Sequence, residues 1–412
     1  MMLYLTTLTK RFRFRYSCKN IIFENIKPFW LFRKGFFHYS SVKKSVHLTF
    51  ILLLAFQFSQ AQFLSDRSNC EITRKSLDQV YNYEFSSARK NLAPVFEKYA
   101  NHPVSYLIKA QITYWENYPI EGNDGATQSY LSLLEKCKSS AEKLLKESKY
   151  KEEATFYLLS SHGSISRIYH HQKEYFKAAM EAQNAYGYLK DGFNYGDQIP
   201  DFLFTKGLYN FYRVQYPETH PQIKPIIYFF KSGNKQAGLE NLRQAGKKAL
   251  FSSVEARYFL TGICLKYENR NVEALNLSGN LYQQYPKNPL FLMRYVEALI
   301  ANNQLDKASV LVEKMAGMSY PDQRMAYLVF KGLLAQNTGD KEEALNLFTK
   351  SLQVTQEGNF TKDLIPMAEV SLARLYYERK EFTKAKNYCK KALDNGEYAW
   401  VLKYAKELEA KL

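Results

Sequence analysis

Apolar positions along this chain recur at three- and four-residue steps in paired runs, and a small residue marks the point where the two helices of each pair have to touch. Six such residues stand out: Ala178, Gly238, Ala274, Ala308, Ala344 and Ala385. From Gly238 onward the successive spacings are 36, 34, 36 and 41. A spacing near 34 that recurs this often predicts stacked helix–turn–helix units. The run SLARLYYERKEFTKAKNYCKKAL is the clearest unit. Leu372, Ala373 and Tyr376 share one face of a first helix, and Glu381-Phe382 marks the turn. Ala385, Tyr388, Cys389 and Ala392 share one face of a second helix. Alanine suits the crossing because a larger side chain holds two backbones apart.

A second small residue, twelve positions earlier, fixes the phase of each unit. Ala373 precedes Ala385 by twelve, as Gly332 precedes Ala344, Gly262 precedes Ala274 and Ser166 precedes Ala178. Val296 and Ala308 form a weaker copy. Pro286 falls twelve residues after Ala274, where a proline closes a second helix. This grammar resembles the tetratricopeptide repeat family, whose units carry an aromatic or apolar residue, then Leu-Gly, Tyr, Ala, Phe, Ala and Pro within 34 residues. The resemblance covers residues 154–400 well and 70–150 poorly, and the tryptophan position is empty in the clear copies. It implies an all-α fold, a right-handed α-solenoid of six to eight antiparallel helix pairs, with 62–153 as degenerate repeats and 154–412 as the regular array.

One unit is broken. Gly207 opens a first helix, but its partner Gly238 lies 31 positions on rather than twelve. The extra residues hold Pro217, Pro221 and Pro225, which are expected to interrupt any regular helix over an insertion at 214–232. An aromatic first helix, a proline-rich insertion and a GNKQAGLENL turn together look like a subgroup of exported bacterial tetratricopeptide proteins. That likeness implies little about biochemistry.

Charge changes the picture at the N-terminus. Residues 1–61 hold ten Lys/Arg and one acid, Glu24, which is nine of the seventeen net positive charges and leaves eight for 62–412. Lys43-Lys44, the apolar run VHLTFILLLAFQF and Ser59-Gln60-Ala61 have the order of a secretory signal at 42–61. Cleavage after Ala61 leaves Gln62 first, and the run is short for a membrane span. Such signals begin at a chain's first residues, so 1–41 reads as an over-extended gene start, with translation beginning at Val42. The competing reading is a membrane-adhering arm built from Arg11–Tyr16 and Phe29–Phe37. Beyond residue 61, Lys and Glu alternate along the second helices, as on a solvated face, and no basic stripe interleaved with aromatics points to nucleic acid. The expected location is therefore periplasmic, with membrane attachment through the N-terminus as the alternative.

Little in the chain suggests chemistry. Cys70, Cys137, Cys264 and Cys389 show no metal-ligand or C-x-x-C spacing. Cys70 and Cys137 could bridge the first units in an oxidising compartment. His170 and His171 precede Glu174 by one helical turn, but adjacent histidines point about 100° apart and do not share one ion. Gly122-Asn123-Asp124-Gly125 lacks the Lys-Ser/Thr of a phosphate loop. No catalytic motif is present, so the expectation is a protein that is not an enzyme and has no cofactor or metal.

The working surface is then the concave side, which the first helices line. The repeat phase places Arg167 and His170 there from one unit. It places Phe204, Leu208, Phe211 and Tyr212 from the next, and Phe259, Ile263, Lys266 and Tyr267 from a third. This strip, aromatic in the middle and basic at one end, suits a protein or peptide partner with apolar anchors. An equal alternative is that the 214–232 insertion folds back and fills it.

Overall fold

The computed structural model describes residues 62–228, 230–317, 321–354 and 359–412. The basic extension and the signal expected at 1–41 and 42–61 lie outside the described residues. The rest is all helical. Two helices form the first pair, α1 (Arg67–Tyr81) and α2 (Phe85–Lys98), followed by α3 (Pro103–Glu116) with α4 (Asp124–Leu144) and α5 (Lys151–His171) with α6 (Tyr175–Gly192). The interrupted pair is α7 (Asp201–Thr219) with α8 (Lys235–Lys248). Then come α9 (Ser253–Ile263) with α10 (Asn271–Gln284), and α11 (Pro289–Ala301) with α12 (Leu305–Glu313). The last pairs are α13 (Pro321–Thr338) with α14 (Lys341–Ser351) and α15 (Asn359–Glu378) with α16 (Phe382–Asn395), capped by α17 (Ala399–Glu409). Eight pairs and a closing helix among the described residues match the expected α-solenoid.

The small residues sit where the sequence placed them. Ala178, Gly238, Ala274, Ala308, Ala344 and Ala385 are all buried. Ser166 Oγ donates to the Ala178 carbonyl at 2.8 Å, so the twelve-residue offset is a direct contact across the crossing. The Gly207–Gly238 crossing is tighter still. A Cβ on Gly238 would lie 2.7 Å from the Phe211 nitrogen and 2.9 Å from the Gly207 carbonyl.

Most turns inside a pair share a second device. Tyr83, Lys173, Asn269, Asn303, Gly339 and Lys380 have positive φ and end the first helix in the left-handed conformation. Each stands five positions before a buried alanine: Ala88, Ala178, Ala274, Ala308, Ala344 and Ala385. In five of the six, the next N–H reaches back five residues to the first helix, as Glu381 N does to Tyr376 O at 2.9 Å. Ala88, in the α1–α2 pair, therefore joins the ladder.

The prolines do not act as expected throughout. Helix α7 runs through Pro217 to Thr219, because a proline this close to a helix end leaves only one carbonyl, that of Arg213, without its N–H. The irregular stretch is consequently shorter and starts at His220. Tyr209 Oη donates to the Lys231 carbonyl at 2.5 Å, Arg213 donates to the Ile227 and Phe230 carbonyls, and Tyr186 stacks edge-on to Phe230. The insertion is thus packed onto α6 and the adjoining side of α7.

The superhelix winds until its first inner helix meets its middle ones. Tyr81, at the end of α1, packs on Trp115, Tyr285 and Phe291, with ring centroids at 5.2, 5.7 and 6.5 Å. Phe63 and Phe156 both pack on Phe251. Polar contacts lock the seam. Arg74 donates to the Ala249 carbonyl at 3.1 Å, Tyr285 Oη donates to Asp78 at 2.5 Å and Asn288 Nδ2 donates to the Tyr81 carbonyl at 3.0 Å. Behind the seam, buried Asp201 accepts from the backbone N–H groups of Leu250, Phe251 and Ser252 and from the Ser252 hydroxyl, which fixes the turn that starts α9. The concave faces of the first and middle pairs therefore form one continuous apolar core.

Two measurements check these contacts. Gly238→Ala should lose about 1–3 kcal/mol of stability through overpacking, although alanine favours a helix. Gly163→Ala, where an added Cβ meets nothing within 4 Å, should gain up to about 1 kcal/mol in the same urea titration. If both changes stabilise, the close crossing is not there.

The seam also carries a pH signature. Tyr81 Oη donates to Glu255, whose Oε2 is sealed from solvent. Burial raises the Glu255 carboxyl from 4.5 to about 7. The folded state then holds a proton that the unfolded chain has released, so stability falls as pH rises between 4.5 and 7. Glu153 shifts the same way and nearby His102 the opposite way, so the informative quantity is a difference. Wild type should lose more stability than Glu255→Gln between pH 5 and 7, by at most about 1.4 kcal/mol per pH unit. Parallel pH profiles would rule the buried carboxyl out.

Candidate partner-binding surface

The inner helices carry the residues that the repeat phase singled out, and closure of the superhelix gives them different fates. Arg167, on α5, lies with its guanidinium 4.4 Å from the centre of the Tyr114 ring. It donates to Tyr114 Oη at 2.9 Å and pairs with Glu121 at 3.5 Å. His170, one turn on, is half-buried beside Tyr175. Burial, with Lys362 and His171 nearby, holds its pKa below the usual value and favours the neutral ring. Phe204 and Phe259, from α7 and α9, meet with ring centroids 5.7 Å apart, and Phe259 stays 36% exposed. Leu208 is half-buried.

Phe211 and Ile263 are fully buried, so these two are packing residues and do not face a partner. Phe211 lies four residues after Gly207, which turns it into the α7–α8 crossing against Gly238. Tyr212 and Tyr267 pack around Phe211, with ring centroids 5.4 to 6.1 Å apart.

Lys266 and Tyr267 are engaged from within the chain. The occupant is the chain's own C-terminal part. Lys266 Nζ sits 2.5 Å from Asp363 and 3.8 Å from Glu397, and Tyr267 Oη donates to Glu397 at 2.6 Å. The cluster continues through Arg294 of α11. Its guanidinium bonds Glu297 at 2.6 Å, approaches Asp363 at 3.8 Å and donates to Tyr398 Oη at 3.2 Å, while Tyr398 Oη donates to Glu297 at 2.5 Å. Burial works against a charge on Lys266, but the Asp363 and Glu397 carboxylates outweigh it and raise its pKa. Arg294, Asp363, Glu397 and Tyr398 had no motif to announce them.

Among the described residues no group of three or more His, Cys, Asp or Glu is placed to hold a metal. Cys70, Cys137, Cys264 and Cys389 are free, and Cys70 Sγ donates to the Phe63 carbonyl at 3.4 Å. No described helix is long and apolar enough to cross a membrane.

Residues 265–336, from the last turn of the α9 run into α13, match the family model described as tetratricopeptide repeat. That match supports a protein-interaction scaffold. No curated protein matches the sequence. Among solved structures, a tetratricopeptide repeat protein from Parabacteroides merdae is similar at 15% identity over 73% of this chain and 99% of that one, with a TM-score of 0.31. Yeast Tom70 is similar at 13% identity over 84% of this chain and 83% of that one, with a TM-score of 0.35.

Removing the cation from the C-terminal cluster is the direct check on what holds it. Lys266→Met leaves the half-buried Asp363 and Glu397 without their shared cation and should cost about 1.5–3 kcal/mol in chemical unfolding. A variant as stable as wild type would mean that these groups are solvated and that α17 is not pinned.

Proposed function

We propose that this chain is an exported scaffold that holds a protein partner on the open part of its inner helices, without covalent chemistry. The observation that carries the reading is the half-open aromatic step formed by Phe204, Leu208 and Phe259. Phe259 keeps 36% of its surface exposed beside apolar neighbours, which suits an aromatic anchor for a partner. Arg167 and His170 border the same inner face on the preceding pair and add a polar edge. Lys266, Tyr267 and Tyr212 support the surface from behind through the C-terminal cluster. Export rests on the order of charge, apolar run and small residues at 42–61, which would leave Gln62 as the mature first residue.

The double variant Leu208→Ala, Phe259→Ala should keep its helicity and lose partner recovery from envelope extracts by roughly tenfold or more. Undiminished recovery would remove this surface from the reading. N-terminal sequencing of the cellular protein should begin at Gln62, and retention of residues 1–61 in a membrane fraction would contradict export.

A further inference from the structure

A second opening lies at the C-terminal side of the inner face. It is a pocket of about 310 Å³ between α11, α13, α15, α17 and the turn that ends the α9 run. That turn is unusual. Residues Cys264–Glu268 form a π-helical turn, Asn269 follows at φ 52°, and Arg270 N closes back to the Cys264 carbonyl at 3.0 Å. The extra residue in the turn recurs often at binding sites in other folds. Here it presents Leu265 and Asn269 as one wall of the pocket. Leu265, Phe330, Leu333 and Met367 make the lining apolar, and Trp400 stands at the mouth, 39% exposed.

The charged part of the wall is negative, and Asn269 and Asn271 add neutral amides. Glu297 and Tyr398 line the pocket, and both belong to the buried ionic cluster. That cluster has three carboxylates, on Glu297, Asp363 and Glu397, but only two cations, Lys266 and Arg294. Its formal charge is one negative. Tyr398 has already spent its proton on Glu297, so what it and the carboxylate offer the pocket is lone pairs. An anion placed there meets repulsion, and a neutral group leaves the excess charge standing. An ammonium on an apolar stem balances the charge, covers the lining with its methylenes and lies against the face of Trp400. The volume is at the low end for a ligand site, which suits a side chain better than a large cofactor.

We infer that this pocket receives a lysine side chain presented by a bound partner protein. The inference rests on the scaffold reading above and adds the chemistry of one anchor.

The pocket can be tested without the partner. With methyl-labelled methionine, n-hexylammonium should shift the Met367 signal with a dissociation constant on the order of millimolar. Hexanol should bind at least tenfold more weakly and hexanoate not at all. Ala301→Phe, at the exposed rim, should fill the space and abolish the shift. If hexanol or hexanoate binds as well as hexylammonium, or if none binds, the charge argument is overturned while the scaffold reading stands. With the partner recovered by wild type, Ala301→Phe or prior acetylation of the partner's lysines should reduce recovery at least tenfold. Unchanged recovery overturns the lysine assignment even where hexylammonium binds. If wild type recovers no partner at all, the scaffold reading fails and takes the lysine with it, whereas the Met367 signal still reports the pocket by itself.

Discussion

The contact between α1 and the α9–α11 region decides what kind of molecule this is. A helical array has two faces, and each pair buries only the sides that touch its neighbours. In this chain Tyr81, Trp115, Phe156, Phe251 and Phe291 cover part of the remaining inner face with one another. Polar side chains then fix the register, since Asp78, Tyr81 and Asn82 each bond a partner beyond residue 250. Aromatic residues make up 16% of the sequence, and Tyr81, Trp115, Phe251, Tyr285 and Phe291 are among those this closure engages.

Curvature follows from how each pair is built. The buried small residue sets how near the two helices lie, and the left-handed residue five positions earlier sets the angle at which the chain turns back. The first of these was legible in the sequence from Ala178 onward, because the spacing repeats. The second was not, because Tyr83, Lys173 and Lys380 are not residues that advertise positive φ. Recognising them would have added Ala88 to the ladder and given α1 and α2 the same status as the later pairs. Pro217 misled in the other direction: it lies inside α7, as Pro94 and Pro366 lie inside α2 and α15, so a proline does not by itself mark where a helix stops here.

The candidate surface was legible only in part, for a physical reason. Helical phase tells which residues face inward but not what they meet there. Phe204, Leu208 and Phe259 keep an open side, while Phe211 and Ile263 are spent on packing. Lys266 and Tyr267 meet Asp363 and Glu397, 97 and 130 residues further along. No local pattern connects positions so far apart; the winding of three intervening pairs does. The same winding leaves a net negative wall beside an apolar pocket, so the feature that closes part of the concave face also shapes what remains of it.

Closure of the superhelix onto itself is the claim on which the rest stands, and one cross-link tests it most directly. The Lys287 N–H donates to Asn82 Oδ1 at 3.2 Å across the seam, although the two residues are 205 positions apart. With the native cysteines replaced, Asn82→Cys together with Lys287→Cys should oxidise rapidly to an intramolecular disulfide, seen as a faster-migrating species that reductant removes. Each single variant should stay unlinked. Two fully reactive thiols that never join, in a protein of unchanged helicity, would mean that the array is open and its inner face is a free groove.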